Sequence, residues 1–112
     1  MTNSFVQRDV LEDLIATTDE EFVKELIDAY LEDSPSLIDE MKTALQNNDA
    51  ASFGRAAHSL KSSSASLGAM RLSEVSKELE MIGKSGDLNQ INGKIEDLIT
   101  IFEQVERELK AN

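Results

Sequence analysis

The chain has 112 residues, and 40% of them are hydrophobic. A chain of this length can form one modest hydrophobic core and is too short for two. Its 22 acidic and 11 basic residues give a net charge of −11, which disfavours binding to nucleic acid or to anionic membrane surfaces. The absence of cysteine excludes disulfides and thiolate metal sites, and no apolar run approaches the roughly 20 residues needed to cross a bilayer. The N-terminus lacks the basic-then-apolar pattern of a signal peptide. We therefore expect a single cytoplasmic domain over residues 1–112, without membrane insertion.

The first half of the chain has the periodicity of helices, and alternation typical of strands is absent. Capping patterns at Ser4–Gln7 and Thr18–Glu21 predict helices that begin near residues 5 and 19, the first of them short. The second helix is long and contains Pro35. A proline inside a helix costs about 3 kcal/mol, so we expect either a kink or a new helix with Ser34 as its cap.

The second half of the chain predicts three further helices. Asp49 is a suitable cap for the third helix, which should end near Gly68 because glycine adopts the left-handed conformation that terminates helices. The fourth should stop at residues 83–86, and Asp87 should cap the last one. Four amphipathic helices with short connections predict an all-α fold, an antiparallel up-and-down four-helix bundle with a short additional N-terminal helix.

The only histidine, His58, lies on the third predicted helix. At about 100° per residue it falls opposite the apolar face of that helix and therefore points to solvent. Lys61 and Ser62 follow it by one turn and Arg55 precedes it by one turn, so all three lie beside it. No acidic residue occurs between Asp49 and Glu74, which leaves a basic segment in an acidic chain. An exposed imidazole flanked by cations suits a phosphoryl group.

Several short motifs around this histidine resemble the signature of histidine-containing phosphotransfer (HPt) domains. They are Ala57-His58-Ser59-Leu60-Lys61, Ser63-Ser64, Leu67-Gly68-Ala69, Leu72 and Leu79-Glu80. The chain departs from the family at Ser62, where glycine is usual. Serine is small enough to let a partner approach, so this departure is compatible with the resemblance.

The resemblance implies a phosphoryl carrier and not an enzyme. By position, His58 would be the phosphoacceptor, Lys61 the phosphate-stabilising cation and Arg55 a weaker contributor. Such domains pass phosphoryl groups between the aspartates of response-regulator receiver domains, and a hybrid sensor histidine kinase is a further possible partner. The receiver supplies Mg²⁺, so we expect no cofactor and no metal on this chain, which should act as a monomer.

A receiver can approach the histidine only across a low surface. The outer positions one turn to either side, Gly54, Ser62 and Ala65, are all small, and we predict that they form the docking surface. A helical adaptor that binds the same partner without phosphotransfer is the alternative function. A third class, the dimerisation and phosphoacceptor domain of a sensor kinase, has a glutamate directly after its histidine, and Ser59 argues against it.

Overall fold

The computed structural model describes residues 5–17, 19–91 and 93–111. In these residues the chain forms α1 (Arg8–Thr17), α2 (Glu20–Gln46), α3 (Ala50–Ser66), α4 (Met70–Ser85), a 3-10 turn (Leu88–Gln90) and α5 (Lys94–Lys110), with no strand. Helices α2 to α5 each pack against the next in sequence, α2 also contacts α5, and α1 packs on α2. The predicted four-helix bundle with a short N-terminal helix is confirmed. None of the described helices is long and apolar enough to cross a membrane.

Helix α3 packs most extensively against α4 and next against α2. The Tyr30 hydroxyl of α2 and Ser64 Oγ of α3 form a buried hydrogen bond of 2.8 Å. Burial raises the pKa of Tyr30 to about 12, so this hydroxyl stays protonated. The largest wholly buried side chains come from four helices and form one core: Met41, Phe53, Leu60, Leu72, Leu79, Leu98, Val105 and Leu109.

The beginnings of α2 and α3 follow the predictions closely. Asp49 Oδ1 accepts a hydrogen bond of 3.1 Å from the Ser52 amide, so the predicted cap of α3 is confirmed. Helix α2 begins next to residue 19 as expected, and Asp19 caps it by accepting from the Glu21 amide at 3.1 Å. The predicted caps Ser4 and Thr18 lie outside the described residues.

Helix α1 begins at Arg8 and not near residue 5. The preceding segment is held by other parts of the bundle, because the Glu108 carboxylate accepts hydrogen bonds from the Phe5 and Val6 amides at 2.8 and 3.3 Å. The Gln7 amide donates to the Gly68 carbonyl at 2.8 Å. In a helix that began near residue 5, these amide groups would point along the helix axis. The tertiary contacts to Glu108 and Gly68 therefore displace the start of the helix.

Helix α2 continues through Pro35, so the predicted new helix with Ser34 as its cap is wrong. Ser34 is instead a buried residue within α2. Val23 and Tyr30 before the proline and Ile38 after it all lie in the core. Packing of this apolar face on both sides outweighs the roughly 3 kcal/mol that an interior proline costs.

Asp87 caps the 3-10 turn by accepting from the Asn89 amide at 3.1 Å, so the prediction that it caps the last helix is wrong. Helix α5 begins only after Gly93, whose φ of 77° is left-handed and breaks the helical path. Leu88 and Ile91 are nevertheless buried, as their apolar spacing requires. Gly68, with φ of 82°, ends α3 as predicted.

Helices α3 and α4 approach closely where Gly54 faces Gly83. A Cβ atom at Gly83 would lie 2.8 Å from the Gly54 Cα and 2.9 Å from its nitrogen, too close for any side chain. A Cβ atom at Gly54 would lie 3.8 Å from its nearest neighbours, an ordinary van der Waals distance. Gly83 therefore sets the spacing of the two helices that carry the site described next.

Candidate functional site

His58 lies on the outward face of α3, and its side chain is 57% exposed. The same helix buries Phe53, Ala56, Ala57 and Leu60 on its opposite side. The predicted orientation of the histidine is therefore confirmed. It follows from helical periodicity, since these inward positions fix the phase of the helix and leave position 58 outside.

Glu80 of α4 forms a hydrogen bond with the imidazole of His58. The distance from His58 Nδ1 to Glu80 Oε2 is 2.7 Å. A carboxylate can only accept, so this contact assigns the proton of the neutral ring to Nδ1 and leaves the lone pair on Nε2. The arrangement orients the ring and makes Nε2 the nucleophilic nitrogen.

The same carboxylate holds two lysines. Lys61 Nζ lies 2.7 Å from Glu80 Oε1, and Lys84 Nζ lies 3.4 Å from Oε2, the oxygen that also binds His58. The Glu80 side chain is 6% exposed, because these three partners cover it. The hydrogen bond from Lys61 lowers the pKa of Glu80 to about 2, with a smaller contribution from His58, although burial acts in the opposite direction. Glu80 is therefore ionised throughout the physiological pH range.

Arg55 is placed differently from Lys61. Its Nη2 donates to Ser52 Oγ at 3.0 Å, one turn towards the start of α3, and Ser52 Oγ in turn donates to Asp49 Oδ2 at 2.7 Å. Arg55 thus lies beside His58, as predicted, but outside the Glu80 cluster. It lines a shallow depression between α3 and α4 together with His58 and Lys84.

The three predicted docking residues have different surroundings. Ser62 is exposed one turn after His58, and Ala65 is half-buried a further turn along. Gly54 is half-buried against Gly83 and forms part of the floor of the depression. The structure thus brings Gly54 next to His58 and leaves Ala65 about two turns away.

Glu80 is the site residue whose role sequence reasoning missed. The sequence contains a signal for this role, which is helical spacing. The spacing places Glu80, like Ser76 and Gly83, beside the apolar face of α4. A carboxylate at such a position needs a charged or hydrogen-bonding partner. Sequence alone could not name that partner, since His58 and Lys61 belong to another helix. Within the described residues, no group of three or more His, Cys, Asp or Glu side chains could hold a metal ion.

Comparisons with known proteins show which family the chain resembles. A family model described as Hpt domain matches residues 25–109. Among solved structures, the chain is similar to histidine-containing phosphotransfer protein B (HptB) from Pseudomonas aeruginosa PAO1. The TM-score is 0.91 and the identity 29%, and the match covers 98% of this chain and 95% of that one. No curated protein matches the chain.

Proposed function

The chain belongs to the Hpt domain family, whose function is histidine phosphotransfer in phosphorelays, and on that premise we propose that His58 carries the phosphoryl group. The observation that supports this most directly is the hydrogen bond from His58 Nδ1 to Glu80. It presents Nε2 as the free nucleophile of an exposed ring. His58 is the only histidine of the chain, so no other imidazole competes for the role.

We further propose that the phosphoryl donor and acceptor are aspartates of receiver domains. His58 Nε2 attacks the phosphorus of the aspartyl phosphate, the bond from phosphorus to the aspartate oxygen breaks, and the carboxylate leaves with the electron pair. Return transfer reverses these steps. Mg²⁺ and the catalytic carboxylates belong to the receiver in this proposal, and the chain acts as a monomeric carrier and not as an enzyme.

In this reaction Glu80 is a positioning residue. It fixes the tautomer of His58 and, by accepting the hydrogen bond from Nδ1, stabilises the positive charge that develops on the ring as Nε2 bonds to phosphorus. Lys61 balances the charge of Glu80 and brings a cation close to the incoming phosphoryl group. Arg55 adds positive charge from one turn before the histidine, with a smaller effect because it donates a hydrogen bond to Ser52.

The first experiment incubates the protein with a phosphorylated receiver domain and measures acid-labile phosphohistidine. His58→Gln should abolish uptake of the phosphoryl group and leave the helical circular dichroism and the melting temperature nearly unchanged, because the side chain is exposed. Ser59→Ala, an exposed neighbour, is the control and should be phosphorylated normally. Acid-labile phosphate in the His58→Gln protein would refute the assignment. Receiver binding without any phosphate uptake by the wild-type protein would favour the adaptor function.

A second experiment tests the docking surface. An arginine at Ser62 or Ala65 should weaken receiver binding by about tenfold or more through steric exclusion, although it adds a favourable charge near an acidic partner site. Thr100→Arg on α5 adds the same charge far from His58 and should leave the affinity unchanged. Backbone amide shifts in a titration with the receiver should map to residues 54–65. Shifts confined to α5 would contradict this docking surface.

A further inference from the structure

A shallow depression lies between α3 and α4 at one side of the His58 ring. His58, Arg55 and Lys84 stand around it, and Gly54 and Gly83 form part of its floor. Neither glycine has a side chain to fill the space. The depression is therefore open next to the ring and has cationic side chains at its edge.

The two lysines that contact Glu80 are held very differently. Lys61 is 28% exposed and lies 2.7 Å from the carboxylate, whereas Lys84 is 74% exposed and lies 3.4 Å away. The Lys84 contact joins residues four apart on one exposed helix face, a kind of pair that contributes little to stability. Lys84 can leave Glu80 at little cost, and Lys61 cannot.

Lys84 is also on the histidine side of the carboxylate. It shares Oε2 with His58 Nδ1, while Lys61 uses Oε1. If Lys84 moves away, Glu80 keeps the hydrogen bond from His58 and the ion pair with Lys61, so its charge stays compensated. The ammonium group starts within two hydrogen-bond lengths of the imidazole, and its flexible stem can carry it across the depression.

We propose that this depression is the binding site of the phosphoryl group on His58, and that Lys84 leaves Glu80 to bind the phosphoryl oxygens. The inference rests on the proposed function of His58 and adds a second lysine to the site, beside Lys61. A phosphoryl group brings nearly two negative charges next to Glu80, while Lys61 is held by that carboxylate and Arg55 by Ser52. Lys84 supplies a further positive charge after transfer, and Lys61 keeps Glu80 in place before and after it.

The test loads the whole protein with phosphoramidate, which needs no receiver domain. His58 Nε2 bonds to phosphorus, the bond from phosphorus to nitrogen breaks, and ammonia leaves with the electron pair. The pKa of the bound phosphoryl group is then read from its ³¹P shift over a pH series. A cation about 4 Å away in water lowers a neighbouring pKa by roughly 0.7, and salt screening reduces this. Lys84→Gln should therefore raise the phosphoryl pKa by about 0.5.

Two control variants separate this role from a general effect of charge. Lys24→Gln removes an exposed lysine from the groove that α1, α2 and α5 form, away from His58, and should leave the phosphoryl pKa unchanged. Lys84→Arg keeps the charge and should retain the wild-type value. If Lys84→Gln titrates like Lys24→Gln, the phosphoryl site is refuted while His58 stands as the acceptor. If the wild-type protein gains no phosphohistidine that His58→Gln removes, the proposed function itself fails.

Discussion

Replacing Gly83 with alanine should force α3 and α4 apart. The new Cβ would lie 2.8 Å from the Gly54 Cα, 2.9 Å from the Gly54 nitrogen and 3.1 Å from the Ala50 carbonyl oxygen. All three neighbours are backbone atoms, so rotation of a side chain cannot relieve the contact. Ordinary contacts of this kind begin at 3.4 Å, and the two helices must therefore separate by about half an ångström.

The expected loss of stability combines two opposing effects. Overpacking of this kind costs about 1–3 kcal/mol, and alanine in a helix gains about 1 kcal/mol over glycine. The free energy of unfolding of Gly83→Ala should therefore fall by about 1 kcal/mol, which lowers the melting temperature of a domain of this size by about 4 °C. Thermal unfolding followed by circular dichroism measures this. The wider spacing should also lengthen the contact between His58 and Glu80 and slow phosphorylation.

Gly54→Ala is the matched control at the same helix crossing. Its Cβ would lie 3.8 Å from the nearest atoms, so it keeps the helix-forming gain and avoids the clash. Its melting temperature should rise by up to about 4 °C. If Gly83→Ala were as stable as Gly54→Ala, the close approach of the two helices would not be the reason for glycine at position 83.

Three further predictions concern single side chains. Glu80 contributes stability above its unfolded-state pKa of 4.5, and this is lost as the pH falls through its folded pKa of about 2. Glu80→Gln should thus lower the free energy of unfolding, measured with urea at pH 7, by about 1–2 kcal/mol. This is less than the full pKa shift implies, because two partners of Glu80 are exposed. The difference in stability between the variant and the wild type should become smaller near pH 2. Tyr30→Phe leaves Ser64 Oγ without its 2.8 Å partner and should cost about 1–2 kcal/mol in the same assay; a neutral result would mean that the hydroxyl contributes nothing. Asp49→Ala should lower the melting temperature by a few degrees and speed amide exchange in the first turn of α3, and unchanged exchange at Ser52 would contradict its role as a cap.

Helical periodicity predicted the bundle and the exposed face of His58, because both depend on residues that are neighbours along one helix. The role of Glu80 was not predicted because its partners His58 and Lys61 lie on another helix. Their contact with Glu80 depends on how α3 packs against α4. The continuation of α2 through Pro35 was not predicted for a related reason. A local signal for a break competed with burial of side chains from distant parts of the chain, and only the folded bundle shows which is stronger.

The number of residues between the cap of α3 and its histidine is itself part of the site. His58 follows Asp49 by nine positions, and this number sets the angle about the helix axis between the cap and the imidazole. One residue inserted between them would leave the motif from His58 to Lys61 intact and yet turn it by about 100° relative to the cap. The core residues Ala57 and Leu60 would turn with it, so the cap and the burial of these two side chains could not both be kept. An insertion of seven residues restores the direction to within about 20°, so length changes in this part of α3 are tolerated only in steps of whole turns.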